Sequence, residues 1–445
     1  MTGDDVEMAR AEAALLARWP ESRIAPDLAR ERALVNLLGS PETSAPVIHL
    51  AGTNGKTSTA RIIESIIRAH ELSTGLYLSP HLHSVRERIC LNGHPIAPDV
   101  FLRIFDEVAP FAAIVDETTG QLTMFELLTG LGFATFADAP VDVMVVECGM
   151  GGRWDATNVV VPSVAVITPI AMDHVLYLGD TLAEIAAEKA GIITAPVPVV
   201  MAEQALAADA VIRAVAAEQG APLVSYGTDF QVIGREVRDE GQVLDIAGLG
   251  ATYEDLFLPL HGEHQAQNAA LAIAAVESFL GERALPIEAV REGLAGATSP
   301  GRLEVLRTGP LVLADAAHNP HGVASLSAAL SEAADIDHVI VVLAVLTDKD
   351  VAEMISLLGD MSERVIVTRN SSPRSFDPTA LGEIARSVLD PDRVDVRDSI
   401  ADALELAIEE VDLEMAAGVR AAVVITGSVA TVADARHLLG RDDEQ

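Results

Sequence analysis

The residues able to do chemistry fall in short polar clusters at the ends of apolar runs. The first is Gly52-Thr53-Asn54-Gly55-Lys56-Thr57-Ser58, which follows the apolar stretch VIHLA (47–51) and opens a helical pattern. Glycines let a backbone curl until its N–H groups face a phosphate, and the start of the next helix adds partial positive charge. Lys56 would set a cation on the β- and γ-phosphates, and the hydroxyl of Thr57 or Ser58 would reach phosphate or Mg²⁺. Leu50 stands where the full G-x4-G-K-[ST] pattern has glycine, so the plain alternative is a Gly-rich turn with a chance lysine. Glu147 ends the run VMVVE. A carboxylate there is poor core material unless it is paired or holds a metal. Met172-Asp173-His174 ends the next apolar run, and His174 gains meaning from emerging beside Glu147. Lys189, next to Ala190 and Gly191, lies on the buried side of a helix pattern. There its pKa would fall and its amine could take up CO₂ as a carbamate. Asp315-Ala316-Ala317-His318-Asn319-Pro320, Pro300-Gly301-Arg302, Thr347-Asp348-Lys349-Asp350 and Thr426-Gly427-Ser428 are further clusters of this kind. Taken singly, each has a structural reading: an ion pair for Glu147, a surface lysine for Lys189, a capped turn for Asp315 and Asn319.

These clusters need elements to hold them. Apolar strand-like runs at 47–51, 73–79, 141–149, 163–170 and 197–202 alternate with helical patterns near 57–70, 99–118, 123–137 and 181–193. Such alternation predicts a doubly wound, mostly parallel sheet with helices on both faces, whose strand ends form the ligand edge. Residues 1–45 read as mostly polar helix, 223–262 as a small antiparallel appendage and 264–295 as helix again. After ATSPGRLE (297–304) a second βα series begins, with GPLVLADA, DHVIVVLAV, RVIVTR, DRVDVRD and RAAVVITG. The expected division is an ATP-binding domain over 1–296, a linker over 297–302 and a smaller Rossmann-like α/β domain over 303–445.

The chain has 445 residues, with 66 acids against 30 bases and a formal charge of −36. Nucleic acid and anionic membrane surfaces are poor partners for such a charge. A local nest of backbone N–H groups still binds phosphate on an acidic protein. Cys90 and Cys148 are too few for a disulfide framework or a zinc site. No long apolar run and no basic, apolar leader is present, so the expected location is the cytoplasm.

Read together, GTNGKTS, YLSPHL (77–82), RERICLNG (86–93), FELLTGLGFATF (125–136), VECGMGGRWDATN (146–158), MDHVLYLGDTLAEIAAEKAGI (172–192), PGRLE (300–304), DAAHNP (315–320) and TGS (426–428) resemble the folylpolyglutamate synthase/dihydrofolate synthase family. That family belongs to the wider Mur ligase superfamily. The resemblance implies an ATP-dependent ligase that adds L-glutamate to a folate or dihydropteroate carboxylate through an acyl phosphate. It implies ATP contacts from Gly52, Thr53, Asn54, Gly55, Lys56, Thr57, Ser58, Asn268, Arg302 and Asp315, and magnesium, two ions by analogy, at Ser79, Glu147 and His174. Lys189 matches a lysine carbamylated in the family. Thr123, Phe125 and Asp155 match a pterin pocket, and His318 and Ser428 lie near a glutamate site. Lys56, Lys189 and His318 are the implied catalytic set, in a monomer. Two positions depart from the family pattern: Thr57 where GTNGKGS has glycine, and Ala316 where DGAHNP has glycine. The rival within the superfamily is a ligase acting on a UDP-linked peptidoglycan precursor.

Overall fold

The computed structural model describes residues 3–19, 27–281, 283–332 and 336–441. The expected helical start is present as helices Gly3–Leu16 and Ala29–Leu37 and a 3-10 turn Pro41–Thr43. Residues 1–2 and 20–26 of that stretch lie outside the described residues.

Eight strands form the first sheet, in the order His94–Pro95, Ile89–Leu91, Thr74–Tyr77, Val143–Glu147, Val47–Ala51, Val164–Ile167, Val199–Met201, Leu223–Ser225. The strands from Thr74–Tyr77 onward are parallel, while Ile89–Leu91 and His94–Pro95 extend the edge as an antiparallel hairpin. Central strands are buried along their whole length, as a parallel sheet covered on both faces requires. Alternation sorts their side chains. Ile48, Leu50, Val145 and Val164 pack with helices Lys56–Ala69 and Glu263–Phe279. Met144 and Val146 face helices Pro98–Thr118 and Met124–Asp138. Each fully buried aliphatic side chain contributes about 1.5–3 kcal/mol.

Two expectations need correction. Residues 223–262 are not one appendage: Leu223–Ser225 closes the parallel sheet beside Val199–Met201. Helix Leu206–Gln219 is a crossover between them, and a helical crossover returns the chain parallel; three residues are too few to reveal this by period. The antiparallel sheet is confined to Gln231–Arg238, Gly241–Ala247 and Thr252–Leu258. The RERICLNG stretch and the His94–Pro95 that follows it also form the edge hairpin, whose strands of three and two residues are too short to show in the sequence pattern.

The second sheet has the order Glu304–Thr308, Leu311–Ala314, Ala421–Thr426, His338–Leu343, Arg364–Val367, Val394–Val396. All but the first strand are parallel. Helices cover both faces. The C-terminal strand ends of the two sheets are turned toward each other: Asn54 bonds Asn319, and Asp173 pairs with Lys349. Among the described residues, no helix is long and apolar enough to cross a membrane.

Candidate active site

The Gly52–Ser58 loop leaves strand Val47–Ala51 and becomes the N-terminus of helix Lys56–Ala69. Gly55 caps that helix at φ +84°, and an added Cβ would lie 2.7 Å from Asn268 Oδ1. Backbone and space both demand glycine there. The N–H groups of Thr53 and Asn54 donate to Pro169 O at 3.0 and 3.2 Å, which pins the loop to the neighbouring strand end. Lys56 Nζ curls back to Thr53 O at 3.1 Å. The first-turn N–H groups have no helical partner and can bind an anion.

The two hydroxyls divide their work. Thr57 Oγ1 donates to the Glu147 carboxylate at 2.9 and 3.0 Å, whereas Ser58 Oγ lies 2.9 Å from Ser299 Oγ and accepts from Gln265 Nε2 at 3.4 Å. Gln265 also accepts from Asn268 Nδ2 at 3.1 Å. Ser79 N donates to Glu147 at 3.4 Å. Burial raises the Glu147 carboxyl, against the pull of Lys56 and the Thr57 bond. A buried carboxylate held by neutral donors suits a cation. Among the described residues no group of three His, Cys, Asp or Glu forms a metal cage. Burial drives His174 down to about 3, so its imidazole is neutral.

Lys189 is buried, and its Nζ donates to Gly52 O at 2.7 Å. Burial, aided by Lys56, lowers it from 10.5 to about 7. It reaches the loop because GGRW and KAGI interlock. A Cβ at Gly152 would sit 2.6 Å from Lys189 O, and one at Gly191 2.5 Å from Arg153 Cβ.

Across the site, Asp173 gathers groups from the second sheet's loops. Lys349 Nζ is 2.7 Å from its Oδ1, and Asn319 Nδ2 and His318 Nε2 are 3.2 and 3.4 Å from its Oδ2. Both partners of the Asp173–Lys349 pair are buried. Burial works against the Asp173 charge, but His318 and Lys349 outweigh it and hold the carboxyl well below its usual range. Asn54 adds a second tie, to Asn319 and to His321 Nδ1 at 2.8 Å. Asp315 spends its carboxylate on Leu303 N and Ala317 N, both at 2.8 Å. It thereby fixes the turn that carries Arg302 and His318. His318 Nδ1 lies 2.9 Å from Ala316 O.

These residues frame two cavities. One, of about 760 Å³, is lined by Gly52–Ser58, Ser79, Glu147, His174, Lys189, Asn268, Arg302, Asp315 and His318. The other, of about 680 Å³, is lined by Thr123, Phe125, Asp155 and Ser428. Ser79, Pro80, His174 and His318 belong to both walls. Thr123 and Glu126 form a capping box that starts helix Met124–Asp138, and Phe125 stands 6.1 Å from Tyr77, ring to ring. Ser428 caps helix Val429–Leu438 and accepts from Asn370 Nδ2 at 3.0 Å. Sequence reading placed weight on His174 and missed its neighbour Asp173 as the hub. The available signal was an acid in a strand-end loop beside a second such loop holding Lys349.

Known proteins are similar to this chain along its whole length. The Mur ligase middle domain matches residues 50–276, and the Mur ligase glutamate ligase domain matches residues 301–429. A dihydrofolate synthase/folylpolyglutamate synthase of Mycobacterium tuberculosis is 46% identical over all of this chain and 96% of its own. One from Bacillus subtilis is 34% identical over 94% of this chain and 95% of its own. The structure of the M. tuberculosis folylpolyglutamate synthase complexed with ADP superposes with a TM-score of 0.95, at 46% identity and 99% coverage of both chains. A folylpolyglutamate synthase–AMPPCP–folate complex superposes at 0.85, with 30% identity, 97% of this chain and 99% of that one.

Proposed function

This chain belongs to the dihydrofolate synthase/folylpolyglutamate synthase family of Mur ligases, and we propose that it joins L-glutamate both to dihydropteroate and to folates that already carry glutamate. It is an ATP-dependent ligase. The observation that carries the reading is the shared wall: a phosphate-binding cavity and an acceptor-sized cavity meet at Ser79, Pro80, His174 and His318. ATP lies in the first, with its phosphates on the Gly52–Ser58 loop. The acceptor lies in the second, against Thr123, Phe125 and Asp155.

A carboxylate resists amines near neutral pH, so it must first be activated. An acceptor carboxylate oxygen attacks the γ-phosphorus of ATP, the bond to the β-phosphate oxygen breaks, and the products are ADP and an acyl phosphate. The glutamate amine, held near His318 and Ser428, then attacks the acyl carbon. The tetrahedral intermediate collapses and phosphate departs with the former carboxylate oxygen. Lys56 stabilises charge on the transferring group, and Arg302 faces the same cavity. Magnesium, two ions in this reading, would be held by Ser79 and Glu147 beside Thr57 and by His174, and would neutralise phosphate charge. We take residues 1–296 and 303–445 as two bodies that close over the linker 297–302, aligning the reactants and excluding water. We propose that it acts as a monomer in the cytoplasm.

The assay is ATP turnover with Mg²⁺ and L-glutamate, adding dihydropteroate or tetrahydrofolate in turn, with products weighed by mass spectrometry. Each acceptor is expected to gain one glutamyl residue. Turnover with neither, while ATP still binds, would overturn the assignment and favour another acceptor, such as a UDP-linked precursor.

Lys189 supports a carbamate in this site. The amine adds to CO₂, loses a proton, and keeps one N–H for the bond to Gly52 O. Protonated lysine lacks the lone pair, so with its pKa lowered to about 7 carbamate occupancy rises with pH. A carbon-13 carbamate signal from labelled bicarbonate should grow between about pH 6 and 8 and be missing from Lys189→Met. A signal of equal size in Lys189→Met would refute the assignment.

A further inference from the structure

His49 lies mid-strand in Val47–Ala51, fully buried between the aliphatic residues Ile48 and Leu50. It lines neither cavity. An imidazole in that place costs free energy unless its polar atoms are bonded, and a valine or leucine would pack the strand as well. Its bonds lead in one direction. Nε2 is 2.9 Å from Thr157 Oγ1, with Cys148 Sγ at 3.2 Å. Thr157 Oγ1 is in turn 2.5 Å from Asp155 Oδ1. Asp155 also accepts from Thr157 N at 3.0 Å and from Met150 N at 2.8 Å.

The proton order along this row follows from counting. Asp155 accepts from the Thr157 hydroxyl and from the N–H groups of Met150, Thr157 and Gly149, which favour its ionised form even though burial raises its carboxyl. An ionised carboxylate only accepts, so the single Thr157 hydroxyl proton goes to Asp155. The Thr157 oxygen must then accept, and His49 Nε2–H is the nearest donor. His49 is neutral, lowered by burial to about 3, so Nδ1 is a bare lone pair. Nδ1 has no partner, which is the less costly arrangement: an orphaned buried N–H is the rarer case.

We propose that His49 is a positioning residue for the acceptor: through Thr157 it fixes the Asp155 carboxylate in the wall of the second cavity. Asp155 thereby faces an N–H-bearing ring of the acceptor in one orientation. This rests on the assignment of that cavity to the acceptor. Supporting contacts of this kind set a site's geometry without touching the ligand.

The test uses the full chain with tetrahydrofolate as acceptor and separate KM values for acceptor and ATP. His49→Leu should raise acceptor KM about tenfold, within the range of lost supporting contacts, and leave ATP KM unchanged. His49→Gln, whose amide N–H can replace Nε2–H, should restore acceptor KM to within about threefold, under 1 kcal/mol. Thr157→Val should match His49→Leu, the double variant should be no worse, and Thr157→Ser should behave as the parent, which keeps the test intact if His49→Leu fails to fold. Asp155→Asn is the control. If Asp155→Asn raises acceptor KM and neither His49→Leu nor Thr157→Val does, the relay is overturned. An equal rise in ATP KM with His49→Leu would also overturn it. If Asp155→Asn leaves acceptor KM unchanged, the acceptor-cavity assignment itself fails.

Discussion

Lys56→Met is expected to lower kcat by about 10³-fold, the scale on which one preorganised charge or donor acts at a transition state. The protein should still fold. Lys56 is half-buried, and its Nζ bond to Thr53 O at 3.1 Å is one of several that shape the loop. Thr53 and Asn54 remain tied to Pro169 O, and Gly55 keeps its place at the helix start. The loss should therefore fall on turnover, with ATP still bound through backbone N–H groups. Steady-state kinetics beside a thermal melt decides this. A kcat within tenfold of the parent, at an unchanged melting temperature, would remove Lys56 from the phosphoryl-transfer step.

Breaking the Asp173–Lys349 pair should cost almost as much. The pair joins loops of the two sheets at 2.7 Å with both side chains buried, and removing one partner leaves the other charged and unpaired. Such a loss costs about 3–5 kcal/mol. Here it would fall largely on the approach of the two strand-end loops that the pair joins. Asp173→Asn and Lys349→Met should each lower kcat by about 10²-fold, with a larger average radius by X-ray scattering. The double variant should be no worse than either single one, since contacting partners do not add. A kcat within threefold for both single variants would show that the pair does not hold the working geometry.

How much could be read from sequence depended on distance along the chain. The phosphate loop was legible because its seven residues, the strand before and the helix after are contiguous, and local geometry fixes their chemistry. The strand-end positions of Glu147 and Asp315 were legible for a similar reason: buried strands announce themselves as apolar runs. The Asp173–Lys349 pair spans 176 residues and the His49–Thr157 bond 108. No spacing rule connects such residues, and His49 in VIHLA reads as an ordinary strand residue. The division of labour between Thr57 and Ser58 needed coordinates, because two adjacent hydroxyls on a helix point different ways. The edge strand Leu223–Ser225 was lost to its length. The interlock of Gly152 with Lys189, and of Gly191 with Arg153, explains two glycines whose need is visible only once the segments are brought together.

ATP is expected to activate the acceptor carboxylate where the two cavities meet. The most direct measurement uses acceptor labelled with oxygen-18 in the reacting carboxylate, with mass analysis of the phosphate released during glutamate addition. Each phosphate should carry one labelled oxygen, because the attacking carboxylate oxygen leaves with it. Unlabelled phosphate accompanying normal product would contradict the acyl phosphate route.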